Sequence, residues 1–371
     1  MKIGIDARMY GVSFTGIGRY TYELIKNIAE LDKENEFVVF MRKEAFDSFI
    51  LPNKHFKKVL ADYPHYSLGE QTGFLKVINR EKLDLMHFTH FNAPIFYSKP
   101  YIVTIHDLTL SFFPGKKMTN LFQRMAYHIV VRNVTKKAKK IIAVSEHTKK
   151  DLIKALKVPA DKIIVVYNGV SPKFGDVEST SRPDLMKKLG LQKPYFLYTG
   201  VWRDHKNIVG MIKAFHEFNK DIGNQYNLVI TGSYNPTYHE IPDTVKNLGI
   251  EDEVHLVGLV SDPDLFALYN HAIAYVFPSF YEGFGLPPLE AMQCGTPVIA
   301  SNTSATPEIC GKGNVLFFNP YSLDDMKEAM RIITTDASIR QRLIDRGFER
   351  VKSFSWEKMT DSVLDIYNSL K

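Results

Sequence analysis

Cysteine is almost missing from this chain: Cys294 and Cys310 are the two among 371 residues. Two cysteines build no disulfide framework, and their scarcity fits a reducing compartment. No apolar run approaches the roughly 20 residues needed to cross a bilayer. A signal peptide is not expected either, because Ile3-Gly4-Ile5 runs straight into Asp6 and reads as a first buried strand. No Cys/His cluster has metal-ligand spacing, and no Asp-x-Asp pair of the kind that chelates a metal–diphosphate is expected. Without a Gly-x-Ser-x-Gly, a serine hydrolase is excluded. The expectation is a cytoplasmic protein with no metal and no cofactor.

What is present is ordinary in amount and uneven in distribution. Charged residues make up 24% and the hydrophobic set 45%, as in soluble globular proteins. A chain of 371 residues exceeds one ordinary core, so two domains are expected. Residues 1–180 carry 28 Lys and Arg against 18 Asp and Glu, and the remainder 19 against 23. The basic half then faces something anionic. Its densest cluster is Lys136, Lys137, Lys139 and Lys140. Two readings stand: cations favoured at a helix C-terminus, or a peripheral contact with anionic lipid on the inner face of the membrane. Aromatic platforms and spaced arginines are missing, which excludes nucleic acid as a partner.

Short apolar runs alternate with helical stretches along the whole chain. Strands are expected at 2–6, 36–40, 85–88, 101–105, 140–144 and 163–166. A second series falls at 195–199, 227–231, 254–257, 274–277, 297–300 and 314–318. Continuous apolar strands between amphipathic helices mean parallel sheets covered on both faces. The fold class is therefore α/β, with two Rossmann-like doubly wound domains. Domain one is expected over 1–175 and domain two over 185–352. The break is 171–194, read as a linker followed by a short helix. Ligands of open parallel sheets bind beyond the C-terminal strand ends, so a cleft between the domains is the expected site.

Residues 278–301 are the most informative. They read Pro-Ser-Phe-Tyr-Glu-Gly-Phe-Gly-Leu-Pro-Pro-Leu-Glu-Ala-Met-Gln-Cys-Gly-Thr-Pro-Val-Ile-Ala-Ser. Glu282 sits in a loop with glycines, and Glu290 falls one turn into a helix, since Leu289 to Met292 are good helix formers. Pro287 and Pro288 suit a first turn, where missing N–H groups cost little. A strand, a Gly-rich loop and a helix N-terminus together make an anion site. The two carboxylates can hold hydroxyls beside a phosphate, and a sugar nucleotide has both parts.

Other stretches follow the same logic. Gly16-Ile17-Gly18 after the first strand lacks the third glycine of a dinucleotide fingerprint, and the second strand ends Val38-Val39-Phe40-Met41-Arg42 with no acid for a ribose. An NAD site is thereby excluded, leaving either a flexible loop or a tight turn that opens a helix. His106 and Asp107 end the strand 101–105, at the rim where function gathers. Asp107 either orients the imidazole or caps the next turn. In Gly200-Val201-Trp202-Arg203-Asp204-His205-Lys206-Asn207, Lys206 and Arg203 can put charge on a departing diphosphate.

The Glu282–Glu290 pattern, with Gly-Phe-Gly-Leu-Pro between and Glu-Ala-Met-x-x-Gly-x-Pro-Val from Glu290 on, resembles the retaining glycosyltransferases of family 4, fold type GT-B. Gly16-Ile17-Gly18-Arg19-Tyr20, His106-Asp107, Asn168-Gly169-Val170, residues 200–207 and Phe354-Ser355-Trp356 occur in the family's order, covering nearly the whole chain. The resemblance implies an N-terminal acceptor domain and a C-terminal nucleotide-sugar domain facing it across a cleft. A last helix, about 356–371, crosses back to the first domain. It implies His106 against the donor sugar, with Gly16 and Gly18 near the phosphates or acceptor. Glu282 is implied on the sugar hydroxyls, Glu290 on the ribose, and Gly200 and Lys206 at the diphosphate. The N–H groups of Gly283, Phe284, Gly285 and Leu286 would face phosphates and sugar, and Val260 would read the base through its backbone. The family more often has arginine where this chain has His205.

The implied activity is metal-free transfer of a hexose from a nucleotide diphosphate sugar, GDP-mannose favoured, to a glycan or lipid-linked acceptor. Two other readings stand beside it: a glycan synthase or phosphorylase, and a non-catalytic GT-B partner subunit.

Overall fold

The structure is a computed structural model that describes residues 1–11, 15–117, 120–171 and 183–371. Residues 172–182 of the expected linker lie outside the described residues, and the expected short helix forms at Pro183–Lys188. Two compact units form: Met1–Gly169 with Phe354–Lys371, and Val170–Ser353.

The first unit holds a seven-stranded sheet in the order β3-β2-β1-β4-β5-β6-β7. Its strands are β1 Lys2–Asp6, β2 Glu36–Met41, β3 Phe56–Leu60, β4 Leu85–Phe88, β5 Tyr101–Ile105, β6 Lys140–Ala143 and β7 Ile163–Val165. Every recorded pairing is parallel; β1 lies between β2 and β4, with Ile3 beside both Phe37 and Leu85. Strand β3 was not expected. It is an edge strand, so it needs no apolar run: Phe56 is buried against Phe37 while Lys57 faces solvent. Lys58 reaches back instead, its Nζ donating to the Phe46 and Phe49 carbonyls.

Helix α1, Thr15–Leu31, covers the sheet with Tyr20, Leu24, Ile25 and Ile28, a spacing that puts all four on one stripe. Helix α2 runs Leu121–Lys137. At the end of β1, Arg8 is wholly buried. Its guanidinium donates to Asp6 at 2.9 and 2.8 Å, to Glu70 at 2.9 Å and to the Asn92 carbonyl at 3.0 Å, and lies 3.8 Å over the Phe74 ring.

The second unit holds a six-stranded parallel sheet in the order β10-β9-β8-β11-β12-β13. The strands are β8 Tyr195–Thr199, β9 Asn227–Thr231, β10 Val254–Gly258, β11 Ala274–Phe277, β12 Val298–Ser301 and β13 Leu316–Phe318. Strands β8, β9, β11 and β12 are buried at every residue, which is why each reads as an apolar run. Helix α3 extends over Ile208–Asp221, with Phe218 continuing its apolar stripe. Helix α4 spans Asp262–His271 and α5 Leu286–Gln293.

The last helix, α6, Trp356–Asn368, belongs to the first unit and packs on α1. Its docking explains two of the motifs. Gly169 lies so close to the start of α6 that a Cβ there would strike the Trp356 backbone N–H, with Trp356 Cα 2.7 Å away. Tyr167 meets Phe354 edge-on beside it, with ring centroids 5.9 Å apart.

Candidate active site

In the second unit the loop between β11 and α5 is shaped by Gly285. It takes φ +91°, and a Cβ would press to 3.2 Å from the Phe277 ring, so glycine alone fits without strain. Pro287 and Pro288 occupy the second and third helical positions, where no N–H is needed. Glu282 is held at both ends of its peptide unit: its N–H donates to Ser304 Oγ at 2.9 Å, and its carbonyl accepts from Ala305 at 3.4 Å.

Its carboxylate meets Lys206. Lys206 Nζ donates to Glu282 Oε1 at 2.5 Å, with the two side chains 17% and 12% exposed. Lys206 ends a short 3₁₀ turn, Asp204–Lys206, and the following Asn207 adopts the left-handed conformation at φ +53°. Asn207 Nδ2 donates to the Pro278 and Pro320 carbonyls at 3.2 and 2.9 Å, tying the turn to the ends of β11 and β13. A cation and a carboxylate from loops 76 residues apart are thus fixed beside the N-terminus of α5. That arrangement can take an anion and a hydroxyl side by side.

Glu290 is half-buried one turn into α5. Tyr269 Oη donates to its Oε2 at 3.4 Å and lies 3.1 Å from Thr199 Oγ1. Tyr275 Oη donates to the Thr199 carbonyl at 3.3 Å. Burial first, then the charge of Glu290, pushes the Tyr269 phenol well above its ordinary range, so it stays a donor. Burial and Glu290 also push the Cys294 thiol up to about 12.

In the first unit His106 follows β5 and is buried. Its Nε2 lies 2.9 Å from the Thr89 carbonyl, which can only accept, so Nε2 carries a proton. Burial lowers the ring's proton affinity, opposed by the Thr89 bond and by Asp107. The neutral ring therefore offers its Nδ1 as an acceptor.

The model of the family described as Glycosyltransferase Family 4 matches residues 14–174, and that of Glycosyl transferases group 1 matches residues 181–350. This chain belongs to the family 4, group 1 glycosyltransferases. It is 28% identical to O-antigen chain mannosyltransferase B of Escherichia coli, over 100% of both chains. Its fold is similar to that of the sucrose-phosphate synthase from Thermosynechococcus elongatus, at TM-score 0.82 and 20% identity, covering 100% of this chain and 99% of that one. Anabaena HepE, solved in complex with UDP and glucose, matches at TM-score 0.79 and 17% identity over 100% of both chains. The fold is that of the GT-B glycosyltransferases.

Within this glycosyltransferase, the structure brings Lys206 and Glu282 together and sets Glu290 on the same helix start. Gly283 and Phe284 are buried, and Leu286 is half-buried at the first turn of α5. Gly200 closes β8, its N–H donating to the Thr231 carbonyl at 3.1 Å. Val260 is half-buried just past β10. Arg203 precedes the 3₁₀ turn and shows no ion pair among the described residues. Gly16 and Gly18 lie within the first turn of α1 rather than in a flexible loop. Gly18 is a packing glycine, since a Cβ would strike the Gly11 carbonyl.

Asp107 Oδ1 accepts from the Thr109 N–H at 2.7 Å, so of its two readings the cap is the one formed. An Asp-x-Asp does occur, at Asp262-Pro263-Asp264; it opens α4, where Ser261 Oγ accepts from the Asp264 N–H. Among the described residues no three His, Cys, Asp or Glu side chains gather as metal ligands. Sequence reasoning missed Asn207, Ser304 and the Tyr269–Tyr275 pair. An asparagine after the lysine, a residue type that tolerates the left-handed conformation, was the one legible signal.

Proposed function

We propose that this glycosyltransferase moves mannose from GDP-mannose to a lipid-linked or cell-surface glycan, with retention and without a metal. The observation that carries the reading is the Lys206–Glu282 pair at the start of α5. Lys206 and the helix dipole would neutralise the departing diphosphate, while Glu282 and His106 hold sugar hydroxyls and Glu290 the ribose. No carboxylate stands out as a nucleophile, so departure and attack share one face and the diphosphate takes the acceptor's proton. Mannose is favoured by the full-length likeness to the E. coli O-antigen chain mannosyltransferase.

The acceptor is assigned to the first unit and the donor to the second. Docking on an anionic inner leaflet is supported by α2, whose exposed stripe carries Leu121, Phe122, Met125 and Ile129 and then Arg132 and Lys136. Lys137 and Lys140 serve the fold instead, donating to the Ile95 and Asp161 carbonyls. No helix among the described residues is long and apolar enough to cross a membrane.

The test is a thermal-shift screen of GDP, UDP, dTDP and ADP, then sugar transfer from the matching donors with excess chelator. GDP alone should stabilise, by about 2.7 kcal/mol at a hundredfold excess over its dissociation constant. Stabilisation by UDP and not GDP refutes mannose from GDP-mannose, and loss of transfer with chelator refutes the metal-free route. Release of sugar phosphate from oligosaccharide and free phosphate would favour a phosphorylase.

A further inference from the structure

Behind His106, a line of buried polar side chains runs through the first unit to its last helix. Alternation along β5 puts Thr104 and His106 on one face of the strand. Tyr20 of α1 spans both. Its ring stands edge-on to the His106 ring, centroids 4.9 Å apart at 82°, and its hydroxyl lies 3.0 Å from Thr104 Oγ1. Thr104 Oγ1 is also 2.8 Å from His87 Nε2, and His87 Nδ1 is 2.7 Å from the Tyr367 hydroxyl in the last turn of α6. Tyr20, His87, Thr104 and Tyr367 are all completely buried.

Hydrogen counting shows that this line acts as one unit. Thr104 has a single proton and two neighbours, so it donates to one and accepts from the other. Two complete orientations exist. Either Tyr20 donates to Thr104, Thr104 to His87 and His87 to Tyr367, or every bond runs the other way. Both require a neutral His87, and burial keeps it so, lowering its pKa to about 3. Four buried polar groups contribute little net stability over an apolar filling, but they fix one geometry. The geometry they fix is the wall against which His106 stands.

We propose that Tyr20 is a positioning residue for His106, and that Tyr367 of the C-terminal helix holds Tyr20 in place through His87 and Thr104. The proposal rests on the reading of His106 as a donor-sugar contact. Removing the hydroxyl at either end unties the line without emptying the core. Tyr20 then gains freedom and His106 loses its fixed orientation.

Tyr20→Phe, Tyr367→Phe and the double variant test this. In protein labelled with ¹⁵N-histidine, the His106 ring signals, assigned with His106→Gln, should move or broaden in both single variants. With GDP-mannose and methyl α-mannoside, kcat should fall about tenfold, as misplaced reacting groups require. KM for the donor and the dissociation constant for GDP should stay within about twofold, since α5 and Lys206 are untouched. The double variant should lose no more than the worse single one, because the residues act in series. Unchanged His106 signals in both variants overturn the proposal, as do additive losses of kcat in the double variant. The ring signals need no turnover. A wild type that transfers no mannose therefore refutes the assigned reaction, and the ring signals still decide the positioning role.

Discussion

Replacing Arg8 by methionine should destabilise the first unit more than any other single change at a polar residue of β1 or its loop. Arg8 is fully buried, and among the described residues it alone faces two buried carboxylates: Asp6, through two bonds, and Glu70, through one. Removing one partner of such a group leaves uncompensated charge, at a cost of about 3–5 kcal/mol. The pH dependence supplies the stricter test. Burial already holds the Glu70 carboxyl above its ordinary range, with Arg8 opposing. Without Arg8 that carboxyl rises further, so the folded variant binds protons the unfolded chain does not. Its stability is then fully present below the ordinary carboxylate pKa and is lost as pH rises through the raised folded value. The penalty of Arg8→Met should therefore be larger at pH 7.5 than at pH 5. The chain has two tryptophans, one in each unit, so Trp356 in a Trp202→Phe background reports urea unfolding of the first unit alone. A penalty below about 1 kcal/mol, or one equal at both pH values, would refute the reasoning.

Glu282→Ala should abolish transfer with no loss of nucleoside diphosphate binding by calorimetry, because its assigned partner is the sugar. Lys206→Met and Glu290→Ala should weaken that binding by about 1.5–3 kcal/mol each, the worth of one charge-assisted contact; wild-type affinity in both would remove them from the donor site. Gly169→Ala should lower the thermal midpoint of the first unit by an overpacking cost of about 1–3 kcal/mol, and hydrogen exchange should quicken along α6.

Much of this fold was legible because parallel strands buried on both faces leave unbroken apolar runs, as at Tyr195–Thr199 and Tyr101–Ile105. Strand β3 was not, since an edge strand may carry two adjacent lysines, Lys57 and Lys58, inside a short apolar stretch. In the candidate site, Glu282 and Glu290 were legible as candidates because a Gly-rich loop before a helix has few other uses for carboxylates, and Lys206 because it precedes the start of α3. Their supports were not. Asn207, Ser304, Tyr269 and Tyr275 act through distances between residues far apart in the chain, which periodicity does not encode. For Gly16 and Gly18 a flexible loop and a turn opening a helix both stood; the helix start is what forms, with Gly18 set against the close passage of Gly11. Gly169 carried a motif with no role attached until the start of α6 was seen against it.

Lys206 and Glu282 are each other's counter-ion. In the proposed donor complex each would take a different half of the ligand, the ammonium the diphosphate and the carboxylate the sugar. Donor binding is then an exchange of partners, in which neither charge is ever stranded. Sugar departure upsets that exchange. With the hydroxyls gone, Glu282 has nothing to hold and competes with the spent diphosphate for Lys206. The same contact would thus help eject the nucleotide product.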